Sequence, residues 1–142
     1  MLKKSEPIFA VRDVKETIDF YQKVLGFNGP WFWGDPVTFG GIHFGDVNVM
    51  FCHQPKIAEC VEGHMHWFWT EDVDGMHARH VAAGAKVVAE LGNRPWNVRE
   101  YAVQDPNGYH LRFAGPTKYE KPANAPAKMP EFIRIEERLA SH

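Results

Sequence analysis

The chain has 142 residues, 44% of them hydrophobic and 24% charged, a balance that fits one globular domain rather than a disordered chain. Its formal net charge of −2 gives nucleic acid no basic footprint. No apolar run approaches a membrane span, and the start, MLKKSEPIFAV, is too short in apolar residues for a signal peptide, so a cytoplasmic protein is expected.

In chain order, PIFAVR (residues 7–12) alternates weakly, as a strand does, and runs into Asp13. Val14, Ile18, Tyr21 and Leu25 then recur at helical spacing. Asp13 with Glu16 makes a capping-box pattern, and Gly26 is a natural stop. Strands are expected around residues 37–44 and 46–53, turning at Gly45-Asp46. The second half repeats this order. HMHWFWTED (64–72) reads as a strand, residues 74–83 as a helix stopped by Gly84, and AKVVAEL as a short strand. VREYAVQ and YHLRF then form a hairpin across the turn Asp105-Pro106-Asn107-Gly108. Asp13-Val14 aligns with Asp72-Val73, and Gly26 with Gly84, so the chain is one internal repeat. Neither half can bury its sheet alone, and the two should pack as one unit.

Two W-F-W triplets, at 31–33 and 67–69, suit a core or the wall of a cavity for flat ligands. Trp31, Trp33 and Trp96 are expected in connecting segments. Cys52 and Cys60 form no CxxC pair, and at this size no structural disulfide is needed. His77 and His80 share a helical face at i, i+3 and are expected on a solvated side. After Gly115 the composition turns to Pro, Ala and Lys. Residues 116–142 read as an irregular tail ending in a short amphipathic helix with Phe132, Ile135 and Leu139 on one stripe. That helix either packs on its own domain or grips a partner subunit.

The segments PIFAVRDVKETIDFYQKVLGF, HWFWTEDVDG and VQDPNGYHLRF together resemble the vicinal oxygen chelate superfamily, which includes glyoxalase I, extradiol dioxygenases and bleomycin-resistance proteins. The likeness covers roughly residues 5–115. It implies an α+β fold of two βαβββ modules, about 5–55 and 63–115, whose strands form a cupped mixed sheet around a central cavity. It also implies a homodimer. In metal-dependent members four cavity positions hold ligands, and these fall here on Glu6, about Met50, His66 and Arg112. A thioether and a guanidinium suit a hard divalent ion poorly, since an arginine offers no lone pair. The pattern is similar instead to bleomycin-resistance members, which lack the metal set.

Strand alternation gives an inventory of the expected cavity. Val47, Val49 and Phe51 should meet a helix, with Asn48, Met50 and Cys52 pointing the other way. His64, His66 and Phe68 are placed toward the cavity, which leaves Trp67 and Trp69 for the core. Glu100, Ala102, Gln104, His110 and Arg112 join the cavity, with Trp96 at its mouth. A partly buried Arg112 needs a counter-charge, either Glu6 or Glu100. The expected function is metal-free binding of a flat or partly apolar small molecule, with no cofactor. The alternative is a lyase, isomerase or dioxygenase with a rearranged Zn, Ni, Mn or Fe site using Glu6 and His66. A third possibility is metal-free catalysis, with His66 or Glu100 as base beside Arg112.

Overall fold

The computed structural model describes residues 1–118. The first module runs β1 (Ile8–Val11), α1 (Val14–Lys23), β2 (Asn28–Trp33), β3 (Phe39–Phe44) and β4 (Val47–His53). A one-turn helix, α2 (Pro55–Ala58), leads to the second module. That module runs β5 (Met65–Trp69), α3 (Val73–Ala82), β6 (Lys86–Asn93), β7 (Arg99–Gln104) and β8 (His110–Gly115). The fold class is the expected one, βαβββ twice. Its strands form two four-stranded sheets, ordered β1-β4-β3-β2 and β5-β8-β7-β6. In each, the first strand pairs parallel with the last and the rest are antiparallel. The expected terminal helix lies outside the described residues.

The internal repeat is visible in the caps. Asp13 precedes α1 and its Oδ1 accepts from the Glu16 N–H at 2.9 Å. Asp72 precedes α3 and its Oδ1 accepts from the Gly75 N–H at 3.0 Å. Each satisfies an N–H that the helix cannot bond itself. Gly26 and Gly84 follow the two helices at φ 79° and 88°, where a Cβ would be strained.

Each sheet has one face toward the helices and one open face. Toward the helices lie Phe9, Val11, Ile42, Val49 and Phe51 from the first sheet, and Phe68, Tyr101, Val103, Leu111 and Phe113 from the second. They join one core with Ile18, Tyr21 and Leu25 of the first helical segment. Polar bonds also cross between modules. The Asn107 side chain accepts from the Arg12 N–H at 2.9 Å and donates to Thr17 Oγ1 at 3.0 Å. Tyr109 donates to the Ala10 carbonyl at 2.9 Å. The turn that closes the repeat in sequence thus docks one module on the other.

Three expectations about placement are corrected. Residues 28–33 are a strand, so Trp31 and Trp33 lie on a sheet rather than in a connection, while Trp96 does lie in the β6–β7 connection. Val47 is exposed, and the apolar stripe of β4 is Val49 and Phe51. His80 is 2% exposed, not solvated. Its Nδ1 accepts from the Tyr101 hydroxyl at 2.8 Å and its Nε2 reaches the Leu25 carbonyl at 3.3 Å, tying α3 to the end of the first module's helical segment. Burial pulls its pKa down to about 4, so the ring is neutral at pH 7, with the proton on Nε2 toward the carbonyl.

Candidate functional site

Register decides which side chains reach the open face of the second sheet. β5 pairs with β8 so that His66 lies opposite Leu111, Trp67 opposite Arg112 and Phe68 opposite Phe113. Leu111 and Phe113 are core residues, so His66 and Phe68 turn toward the helices. Phe68 stacks on Phe113 at 5.0 Å, and His66 meets the Phe9 ring edge-on at 5.3 Å. The sequence-based placement of this strand is therefore reversed: Trp67 and Trp69 stand on the open face, 50% and 45% exposed, with centroids 5.7 Å apart. The signal was available. Glu6 is seven residues before Asp13, and Met65, not His66, is seven before Asp72.

The floor of this open face is ionic. Ala102 lies opposite Arg112, and Glu100 opposite Ala114, so Glu100 and Arg112 share the face two residues apart along neighbouring strands. Arg112 Nη2 donates to Glu100 Oε1 at 2.6 Å, and Glu100 is 1% exposed. Arg94 Nε is 3.8 Å from the same oxygen. Of the two counter-charges expected for Arg112, Glu100 is the one used, while Glu6 pairs with Lys4 at 2.9 Å. Arg94 was missed because it sits in a turn, where no periodicity reports a side chain's direction. His110 lies beside this floor. Burial lowers its pKa first, and the Arg112 charge lowers it further.

At the free edge of β5 a cleft of about 410 Å³ opens between the modules. Lys4–Pro7 and Asp46–Asn48 form one wall and His66–Trp69 the other. Glu6, Asn48, His66 and Phe68 of the expected cavity set meet here. Glu100, His110 and Arg112 lie on the sheet face behind Trp67. Met50 is on the open face of the first sheet, opposite Ile8 and Gly41. His64 is exposed at the chain's approach to β5, edge-on to Tyr109 at 6.0 Å. Burial lowers the pKa of His66, and the neighbouring His64 lowers it further, which leaves a neutral imidazole on the cleft wall.

The first sheet also has an open aromatic face. Trp31 lies across Gly41, where a Cβ would come within 2.6 Å of the indole, and its ring is 5.8 Å from that of Phe39. Opposite, a Cβ at Gly40 would meet Ile18 of α1 at 2.8 Å. The Gly40-Gly41 pair is therefore squeezed from both sides, by α1 and by the indole.

Of the positions where the resemblance implies metal ligands, Arg112 offers no lone pair and Met50 only a thioether. Arg112 is held by Glu100, and Met65, rather than an imidazole, faces it, with Arg112 Nη1 4.0 Å from the sulfur. His66 turns to the other side of its strand. Among the described residues, no three His, Cys, Asp or Glu side chains gather in a way that could hold a metal.

A mixed four-stranded sheet with a helix on one face and an open aromatic face on the other is built twice, and the second copy carries the Glu100–Arg112 pair. The chain belongs to the glyoxalase/bleomycin resistance protein/dioxygenase superfamily, whose model matches residues 6–113. Among solved structures it is similar to TioX from Micromonospora sp. ML1, with 26% identity, a TM-score of 0.65, and coverage of 80% of this chain and 99% of that one. It is also similar to the bleomycin-binding protein from bleomycin-producing Streptomyces verticillus, solved with copper(II)-bleomycin. There identity is 25%, TM-score 0.66, and coverage 84% and 100%. The bleomycin resistance determinant encoded on transposon Tn5 shares the fold at 19% identity and TM-score 0.68, over 83% and 100% of the chains. No curated protein matches the sequence. Among the described residues no helix is long and apolar enough to cross a membrane.

Proposed function

We propose that this protein binds a flat, partly apolar small molecule in the cleft along β5, without a family-type metal. The observation that carries the reading is the Trp67–Trp69 pair, half exposed on an open sheet face and lining a 410 Å³ cleft. Large aromatics are left half in water where something flat is to cover them. Asn48 offers amide donors and an acceptor, and neutral His66 offers one of each, which sets orientation rather than affinity. Beside the cleft, on the sheet face behind Trp67, the Glu100–Arg112 pair offers a fixed polar group to a carbonyl or anionic substituent that reaches past the indole. Similarity to a protein solved with copper(II)-bleomycin supports small-molecule binding at this coarse level.

We also propose a homodimer in which a second copy covers the first sheet's open face, where Ile8, Trp31 and Trp33 are exposed. Light scattering tests it: a dimer mass is expected that falls to monomer on Trp33→Glu, and a monomer mass for the unaltered protein contradicts it. For the cleft, tryptophan emission is titrated with a panel of polycyclic aromatic antibiotics. Saturable quenching is expected, lost on Trp67→Leu with Trp69→Leu and weakened on Asn48→Ala. Quenching that survives loss of both indoles places the site elsewhere.

A further inference from the structure

At the seam of the two modules, next to the cleft, lies a second and smaller cavity of about 40 Å³. Phe27 reaches it from the first module, and Phe68, Met76 and Phe113 from the second. All four are buried. Phe68 stacks on Phe113 at 5.0 Å and meets Phe27 edge-on at 6.0 Å, so these walls are held by ring packing. Val47 and Trp69 complete the lining on the other side, and both line the cleft as well, so the two spaces adjoin. Val47 is 38% exposed and Trp69 45% exposed. The boundary between cavity and cleft is therefore made of apolar side chains left partly in water, not of closed core.

The cavity is built for hydrocarbon. Trp69 Nε1, the one N–H among these side chains, is already spent on Glu71 Oε1 at 2.9 Å. Water held there would forfeit its hydrogen bonds, whereas a hydrocarbon group forfeits none and gains contacts with the ring walls. A water-sized group takes about 10–15 Å³ in this measure, so the space holds roughly three such groups.

We propose that the ligand carries a short apolar arm, about three carbons long, which leaves the cleft between Val47 and Trp69 and fills this cavity. The ligand class is then a flat aromatic body bearing a propyl-sized substituent. The aromatic body rests on the binding reading above, whereas the capacity of the cavity for an apolar guest does not.

The test has two arms on the full-length protein. Without ligand, xenon NMR should show a saturable shift that Val47→Phe, which plugs the mouth, removes. With ligand, tryptophan quenching is measured for acridine and for its methyl, ethyl, propyl and hexyl derivatives. Affinity should rise about fourfold per carbon as far as propyl and then level off. Met76 lines the cavity and not the cleft, so Met76→Ala should move the plateau to longer chains. Phe44→Leu, also in the lining, does the same if that variant does not fold. No saturable xenon shift, affinity indifferent to the chain, a rise that continues through hexyl, or a plateau unmoved by both variants would each overturn the proposal. Tight binding of acridine itself with no effect of chain length leaves the binding reading standing, while no quenching by any member of the series removes both.

Discussion

Removing the Arg112 guanidinium is the sharpest perturbation of the second sheet. Glu100 is 1% exposed and takes a 2.6 Å bond from Arg112, while Arg94 stands off at 3.8 Å. Arg112→Met keeps the apolar stem and leaves a buried carboxylate short of its closest donor. Breaking a buried pair costs about 3–5 kcal/mol, and the residual Arg94 contact argues for the lower end. For a domain of this size a loss of about 3 kcal/mol lowers the melting temperature by roughly 10 °C. Adding Glu100→Gln removes the stranded charge and should recover much of the loss. Urea unfolding of both single variants and the double variant measures this as a coupling energy. A cost below about 1 kcal/mol for Arg112→Met, or a double variant no better than the single, would refute the argument that this pair is a buried, mutually dependent unit.

Acid should loosen the protein through His80. Unfolded, the ring takes a proton as pH falls through its ordinary value of 6.5; folded, it does so only at about 4, so the unfolded state binds more protons between those values. Stability therefore falls by about 3 kcal/mol from pH 6.5 to pH 4 on this account and is unaffected by His80 above that window. The Asp105 carboxyl, raised by burial, works in the opposite sense as pH falls toward its ordinary value, so the comparison is with His80→Gln, whose profile should be flatter. Equal slopes for the two proteins would count against the buried-imidazole account. Asn107→Ala should cost about 2–3 kcal/mol in denaturant unfolding, because it strands the Arg12 N–H and removes the bond to Thr17 across the module boundary. A loss under about 0.5 kcal/mol would mean that the turn does not hold the modules together.

The repeat was legible because its signals are local. An acidic N-cap, a stripe of apolar residues and a stopping glycine recur in both halves, and each acts within one or two turns of chain. The Arg112–Glu100 pair was legible as a need, since a guanidinium on a half-buried strand requires a carboxylate; which one required the β7–β8 register. The face of β5 was not legible. With aromatics and histidines at every position from His66 to Trp69, alternation has no polar phase to follow, and the pairing of Phe68 with Phe113 decides it. His80 looked like a surface residue because a histidine on a helix carries no mark of burial. It is buried because Tyr101 and the Leu25 carbonyl, distant in sequence, satisfy both ring nitrogens.

The most direct measurement is a thermal-shift screen of the full-length protein, in which polycyclic aromatic compounds are run beside zinc, nickel, manganese and iron salts. Melting temperature should rise with at least one flat organic compound, in a way that Trp67→Leu with Trp69→Leu abolishes, and should not rise with any of the ions. Stabilisation by one of those metals at a single stoichiometric equivalent, with none from the organic compounds, would contradict the assignment of the cleft to an organic ligand.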